Sequence, residues 1–70
     1  MKVVYDPETD TLDLIFREEA IAESDEVREG IIMDYGQDGK LISIEVLAAS
    51  EHVLEPGTMI YEAKVVRGSY

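Results

Sequence analysis

Apolar and polar residues alternate with a period of two in this chain. Leu12, Leu14 and Phe16 occupy every second position of one such stretch. This pattern predicts a β-strand with one buried face. A short valine-rich strand is predicted before it, over residues 2–5, and residues 6–10 (DPETD) separate the two. Because proline presets φ for a turn and aspartate side chains bond turn amides, the sequence predicts a β-hairpin here.

A second hairpin is predicted further along the chain. Its strands lie at residues 30–35 and 40–47, and the turn between them ends in Asp38-Gly39. Glycine there allows the left-handed backbone that a hairpin turn or bulge requires. Residues 20–29 mix a few apolar side chains with many acids and predict an edge strand or a loop.

The period changes after the fourth predicted strand. Ser50 is placed to cap a short helix that runs to about Leu54. Ala49 and Leu54 have the spacing of a hydrophobic staple, and Pro56-Gly57 would end the helix. Residues 58–66 are rich in residues that favour strands. They predict a final strand, which could pair within the chain or with a neighbour.

The predicted fold class is therefore α+β: a small, mostly β antiparallel sheet of two hairpins, a short helix and a C-terminal strand. It forms one domain over residues 1–70, with the hairpin core in residues 1–50 and the end of the helix and the last strand in residues 51–70. A chain this short buries only about 60% of its unfolded surface. It also contains no cysteine that could cross-link it. Since one short helix cannot cover four or five strands, we expect a homo-oligomer, with a dimer as the simplest form.

The composition is strongly acidic, with 16 Asp and Glu against 6 Lys and Arg, and a net charge of −10. Such a charge repels phosphate, and the tyrosines lack the basic groove of a nucleic-acid platform, so no direct nucleic-acid binding is expected. No apolar run is long enough to cross a bilayer, and the N-terminus does not read as a signal peptide. The expected location is cytoplasmic, without a membrane partner.

Six of the acids crowd into a short stretch that contains a single base, Arg28. This stretch could be a solvated face that discourages edge-to-edge aggregation. It could also attract a basic protein partner. The candidate partner-binding residues are Glu18, Glu19, Glu23, Asp25, Glu26 and Glu29.

A carboxylate-based metal site or enzyme is the alternative. Asp34, Asp38 and Glu45 stand at positions one, five and twelve of an EF-hand calcium loop. Position three, however, is Gly36, which offers no side-chain oxygen, and the flanking residues alternate as strands do rather than as helices. The acids around Asp10 form a second carboxylate candidate.

No catalytic residue and no cofactor is assigned from the sequence. The lone histidine, His52, excludes a multi-histidine zinc site within one subunit. Ser50 and His52 would point in different directions on a helix, so they are poorly placed to share a proton. A non-enzymatic interaction domain is favoured, and enzymatic activity is left open.

The order of turns also resembles that of a small bacterial and archaeal family known as domain of unknown function 2283. The resemblance covers roughly residues 1–50. It rests on Tyr5-Asp6-Pro7-Glu8, Asp10 with Leu12 and Leu14, Ala22-Glu23-Ser24, Glu26-Val27, Gly30-Ile31-Ile32, Asp34-Tyr35, Asp38-Gly39, Ile44-Glu45-Val46-Leu47 and Ala49-Ser50. Ser43 departs from it, because glycine is expected there. The resemblance implies a compact, mostly β protein with no established activity. It also implies that the gene lies beside one that encodes a small ribonuclease-type toxin. Such a neighbour would suit an acidic, antitoxin-like protein.

Overall fold

The computed structural model describes residues 1–65 as one antiparallel sheet of five strands. The strands are β1 (Lys2–Asp6), β2 (Thr11–Ile15), β3 (Glu23–Arg28), β4 (Ile31–Tyr35) and β5 (Leu41–Val46). Their order across the sheet is β1-β2-β5-β4-β3. Consecutive strands pair as hairpins except β2 and β3, whose connection passes the ends of β4 and β5. Strand β5 is therefore the central strand, and the N-terminal hairpin of β1 and β2 lies on one side of it.

The predicted hairpins are confirmed. Strands β1 and β2 pair over five residues, from Lys2 opposite Ile15 to Asp6 opposite Thr11. In the β4–β5 turn, Gly39 has φ of +80°, the left-handed conformation expected of it. The stretch over residues 20–29, predicted as an edge strand or a loop, contains the edge strand β3.

The α+β fold class is wrong, because the described residues contain strands and a single 3-10 turn (Ala49–Glu51) in place of the predicted helix. Ser50 does not cap a helix, since its amide and hydroxyl both donate to the Asp10 carboxylate. Ala48, the residue before the turn, has φ of 49° and is left-handed. Leu54 is fully exposed, so no hydrophobic staple forms.

The predicted C-terminal strand is also absent from the described residues. Residues 58–65 have no strand conformation, and Val66, the last residue of the predicted strand, lies outside the described residues. A chain segment needs a neighbouring strand to satisfy its backbone groups as a strand does. No strand of the described sheet pairs with residues 58–65.

The register divides the sheet into two chemically different faces. The apolar face carries Val3, Tyr5, Leu12, Leu14, Ile31, Met33, Ile44 and Val46, and Asp25 lies on the same face at the β3 edge. The opposite face, here called the carboxylate face, carries a polar group at its centre: Asp13, Ser24, Asp34, Ser43 and Glu45. No second layer of strands or helices covers either face in the described chain.

Candidate functional site

Three carboxyl groups meet at the centre of the carboxylate face. Asp13 on β2 lies opposite Glu45 on β5, and Asp34 on β4 lies opposite Ser43 on β5. Side chains directly opposite each other in an antiparallel pair point to the same face. The strand order β2-β5-β4 therefore brings together residues that are up to 32 positions apart in the sequence.

Asp34 is the most deeply buried member of this group, with 1% of its surface exposed. The Ser24 hydroxyl donates to one carboxylate oxygen at 2.6 Å, and the Ser43 hydroxyl donates to the other at 2.7 Å. Burial by itself would raise the pKa of Asp34, but hydrogen bonds from Glu45, Ser24 and Ser43 together lower it below 3.8. These hydrogen bonds therefore favour the charged form of Asp34.

Glu45 is the member that holds a proton. Its hydrogen bond with Asp34, its burial and the negative charges of Asp34 and Asp13 raise its pKa from 4.5 to about 7. Burial, together with the charge of Asp34, also raises the pKa of Asp13. One oxygen of Asp13, Oδ1, is buried and has no hydrogen-bond partner within the described chain. The group can therefore take up or release a proton near neutral pH.

The space above the carboxyl groups is small. A shallow cavity of about 240 Å³ lies between these side chains and Ile15 and Ile21, below the range of about 300–1,000 Å³ typical of small-molecule sites. Within residues 1–65, no group of three or more His, Cys, Asp or Glu side chains is arranged to hold a metal ion. The observed geometry supports proton binding.

The carboxylates of the EF-hand alternative do not converge. Asp34 and Glu45 interact on the carboxylate face, but Asp38 lies in the β4–β5 turn. There its carboxylate accepts hydrogen bonds from the Arg17 guanidinium at 3.2 and 3.3 Å. These bonds lower the pKa of Asp38. The Asp38 carboxylate, which would complete the predicted calcium ligands, is therefore hydrogen-bonded to Arg17.

The second carboxylate candidate, Asp10, has a structural position. Its carboxylate accepts hydrogen bonds from the Tyr5 hydroxyl at 2.7 Å and the Ser50 hydroxyl at 2.6 Å. These bonds lower the pKa of Asp10, and the bond from Ser50 has the largest effect. They tie the first hairpin to the 3-10 turn. His52 is exposed at the end of this turn, with Nε2 close to Gly30.

The six acids predicted to bind a basic partner all lie on the exposed surface, on β3 and the segments flanking it. Two of them make polar contacts within residues 1–65. Glu19 forms an ion pair with Arg17 at 3.0 Å, and Glu26 accepts a hydrogen bond from the Gly30 amide at 3.0 Å. The β3 edge of the sheet is thus an acidic edge, here defined by Glu18, Glu19, Glu23, Asp25, Glu26 and Glu29.

Sequence reasoning missed the pairing of Asp13 with Asp34 and Glu45, and the two serines that hold Asp34. A signal was present in the sequence. Asp13 stands between two leucines, and Asp34, Ser43 and Glu45 stand inside predicted strands. Aspartate is depleted in strands, so an aspartate at a strand centre indicates a specific partner across the sheet.

The apolar face has no second layer of strands or helices in the described residues. Val46 is buried, with 8% of its surface exposed, while the other apolar residues of this face are half-buried. A sheet face of this composition normally packs on a second layer. This face is the second candidate site, and its chemistry suits a protein surface rather than a small polar ligand.

Comparison with known proteins gives a match to a family model. No helix in the described part of the chain is long and apolar enough to cross a membrane. No curated protein and no solved structure matches the chain. One family model matches, over residues 2–50, which contain all five strands. The chain belongs to the family described as protein of unknown function (DUF2283).

Proposed function

We propose that this protein is a non-enzymatic interaction domain that self-associates through its apolar face. The observation that carries the proposal is the single-layer sheet, whose apolar face has no second layer of strands or helices within residues 1–65. A second copy of the same face is the simplest cover, because an isologous interface needs only one self-complementary surface.

The exposed area supports a dimer. A folded monomer of 7.8 kDa is expected to expose about 4,400 Å². This chain exposes 5750 Å². The excess of about 1,300 Å² exceeds the roughly 800 Å² that each partner buries in an interface of standard size. Part of this excess lies on the exposed residues 58–65, so it supports an interface that includes this segment as well as the apolar face.

Sedimentation equilibrium over a range of concentrations tests this proposal, and the expected mass is that of two chains. Leu14→Lys places a charge on the apolar face beside Val3 and Ile44, and it is expected to weaken association about tenfold or more. Val27→Lys is the matched control. It makes the same change in charge at a residue of the edge strand β3 with 38% exposure, and it is expected to leave association unchanged.

Loss of folding must be separated from loss of association. The melting temperature of the unaltered chain is therefore measured as a function of protein concentration. A dimer that dissociates on unfolding melts at a higher temperature when it is more concentrated. A single-chain mass together with a melting temperature independent of concentration would contradict the proposal.

We also propose a basic protein surface as the partner of the acidic edge, in an antitoxin-like role. Six exposed acids on β3 and its flanks support this. A lysine-rich peptide is the probe, and its binding is measured by calorimetry at several salt concentrations. Replacing Glu23 and Asp25 with lysine is expected to weaken binding about fivefold or more, and to reduce its salt dependence.

A charge-matched control separates a local surface from the net charge of the chain. Asp6 and Glu8, which lie at the other end of the sheet order, are replaced with lysine in the control variant. Equal weakening in both variants would show that only the net charge attracts the peptide, and would overturn the assignment of the acidic edge.

A further inference from the structure

The segment of residues 58–65 leaves the sheet and is exposed along its length. Ile60 and Val65 are 90% and 88% exposed, and Met59 and Tyr61 are 58% and 70% exposed. Its apolar residues are also patterned. Met59, Tyr61, Ala63 and Val65 occupy alternate positions, and the positions between them are polar except for Ile60. This is the pattern of a strand with one buried face, on a segment that lacks a neighbouring strand.

The sheet offers two edges, and they differ. The β3 edge carries three acids and a break in register between Glu26 and Arg28. Charges and bulges of this kind protect an edge from pairing. The β1 edge pairs with β2 without a break over Lys2–Asp6, and its central residues are Val3, Val4 and Tyr5. The β1 edge is therefore the one that can accept another strand.

The exposed segment begins beside this open edge. A Cβ atom on Gly57 would lie 4.0 Å from Cδ2 of Tyr5, which is on the apolar face of β1. In the dimer proposed above, Gly57 would lie between the two sheets. The segment that follows would then start close to the β1 edge of the second copy as well as its own.

We propose that residues 58–62 pair antiparallel with β1 of a second copy and add a sixth strand to its sheet. This inference rests on the proposed self-association and says how it is completed, by a reciprocal exchange of the two C-terminal segments. A second copy is favoured over the same chain, because residues 58–65 pair with no strand of the described sheet.

One register satisfies every position of the pairing. It places Thr58 opposite Asp6, Met59 opposite Tyr5, Ile60 opposite Val4, Tyr61 opposite Val3 and Glu62 opposite Lys2. Met59 and Tyr61 then extend the apolar face, where Tyr5 and Val3 lie. On the other face, Ile60 covers Val4, which is 37% exposed, and Glu62 meets Lys2 with opposite charge. Cross-strand pairs of these kinds each stabilise a sheet.

The absence of cysteine from the sequence makes cross-linking a direct test. Two full-length variants, Val4→Cys and Ile60→Cys, are prepared, one of them with an isotope label, then mixed and mildly oxidised. The exchange predicts a disulfide-linked dimer with one labelled and one unlabelled chain, identified by mass spectrometry. Tyr61→Cys is the matched control. Because Tyr61 would face away from Val4, it is expected to link to Val4→Cys at least fivefold less.

Two outcomes would overturn the exchange. The double variant carrying both Val4→Cys and Ile60→Cys could close a disulfide within one chain at all dilutions, which would mean that the segment pairs with its own β1. Alternatively, no selective link between residues 4 and 60 could form in either sample. Both variants change exposed side chains, and circular dichroism verifies that they fold.

The mass of the complex separates this inference from the proposed function. Met59→Asp with Tyr61→Asp is expected to weaken association about tenfold. If that variant stays as strongly dimeric as the unaltered chain while Leu14→Lys is monomeric, the apolar face associates without strand exchange. If the unaltered chain is monomeric, both proposals fail.

Discussion

The proton held by Glu45 should make the stability of this protein fall as the pH rises through neutrality. The pKa of Glu45 is about 7 in the folded chain against 4.5 ordinarily, first because of its hydrogen bond with Asp34. Between these pH values the folded chain binds a proton that the unfolded chain has released. The free energy of unfolding therefore falls as the pH rises from 4.5 to about 7.

The size of this effect follows from the same pKa. A change from 4.5 to about 7 corresponds to at most about 3.4 kcal/mol, at 1.36 kcal/mol per pH unit. Glu45 is half-buried, and screening by solvent lowers this to about 1–2 kcal/mol. Asp34 contributes with the opposite sign. Because its pKa is lowered below 3.8, its contribution is present above that pH and is lost as the pH falls.

Glu45→Gln is the perturbation that isolates this effect. The glutamine amide keeps the size of the protonated carboxyl group and can donate to the Asp34 carboxylate, but it cannot ionise. At about pH 8 the variant is expected to be more stable than the unaltered protein by about 1–2 kcal/mol, which raises the melting temperature by roughly 4–16 °C. Near pH 4.5, where Glu45 is protonated in the folded chain, the two proteins are expected to have similar stability.

Urea denaturation at several pH values measures the difference, and carbon-13 NMR of the Glu45 carboxyl follows its titration directly. Glu55→Gln, at an exposed position after the 3-10 turn, controls for the loss of one charge from a chain of net charge −10. Curves of stability against pH that run parallel for Glu45→Gln and the unaltered protein would refute the reasoning. So would a Glu45 carboxyl that titrates near 4.5.

Three further substitutions test the local structure. Ser43→Ala removes one of the two hydroxyl donors to the buried Asp34 and should cost about 1–3 kcal/mol in urea denaturation. Gly30→Ala should cost about 1 kcal/mol or more by the same assay, because φ is +80° there and the new Cβ would lie 3.3 Å from a carbonyl oxygen; no destabilisation would refute the strain. Asp10→Ala removes the acceptor that the Tyr5 hydroxyl shares with the 3-10 turn. It should lower the melting temperature and speed amide hydrogen exchange in that turn.

The hairpins were predictable because their signals are local. Alternation and turn residues over residues 2–15 act between neighbours in the sequence, and the structure agrees with them. The helix prediction at Ser50 failed for a non-local reason. Ser50 has the right side chain for a helix cap, but Asp10, forty residues earlier, takes its hydroxyl and its amide. No local propensity contains that contact.

The cluster of Asp13, Asp34 and Glu45 on the carboxylate face was predictable only in part, for a similar reason. Asp34 and Glu45 were noticed as part of a calcium-loop pattern within one hairpin. Their third neighbour is Asp13 rather than Asp38, and this follows from β2 lying beside β5. The order of strands in a sheet depends on how hairpins pack together, which alternation and turn chemistry do not specify.

The two faces of the sheet carry different properties, although they share the same strands. Leu14 and Glu45 are near neighbours, since Leu14 lies opposite Ile44 in the register, yet their side chains point to opposite faces. If the apolar face supplies association and the carboxylate face supplies the pH dependence, Glu45→Gln should leave the dissociation constant of the dimer within about twofold, even at about pH 8. Sedimentation equilibrium measures this constant. A change of tenfold or more, equivalent to about 1.4 kcal/mol, would mean that the proton on Glu45 is coupled to association through the shared backbone of β5, and the two faces would have to be treated as one site.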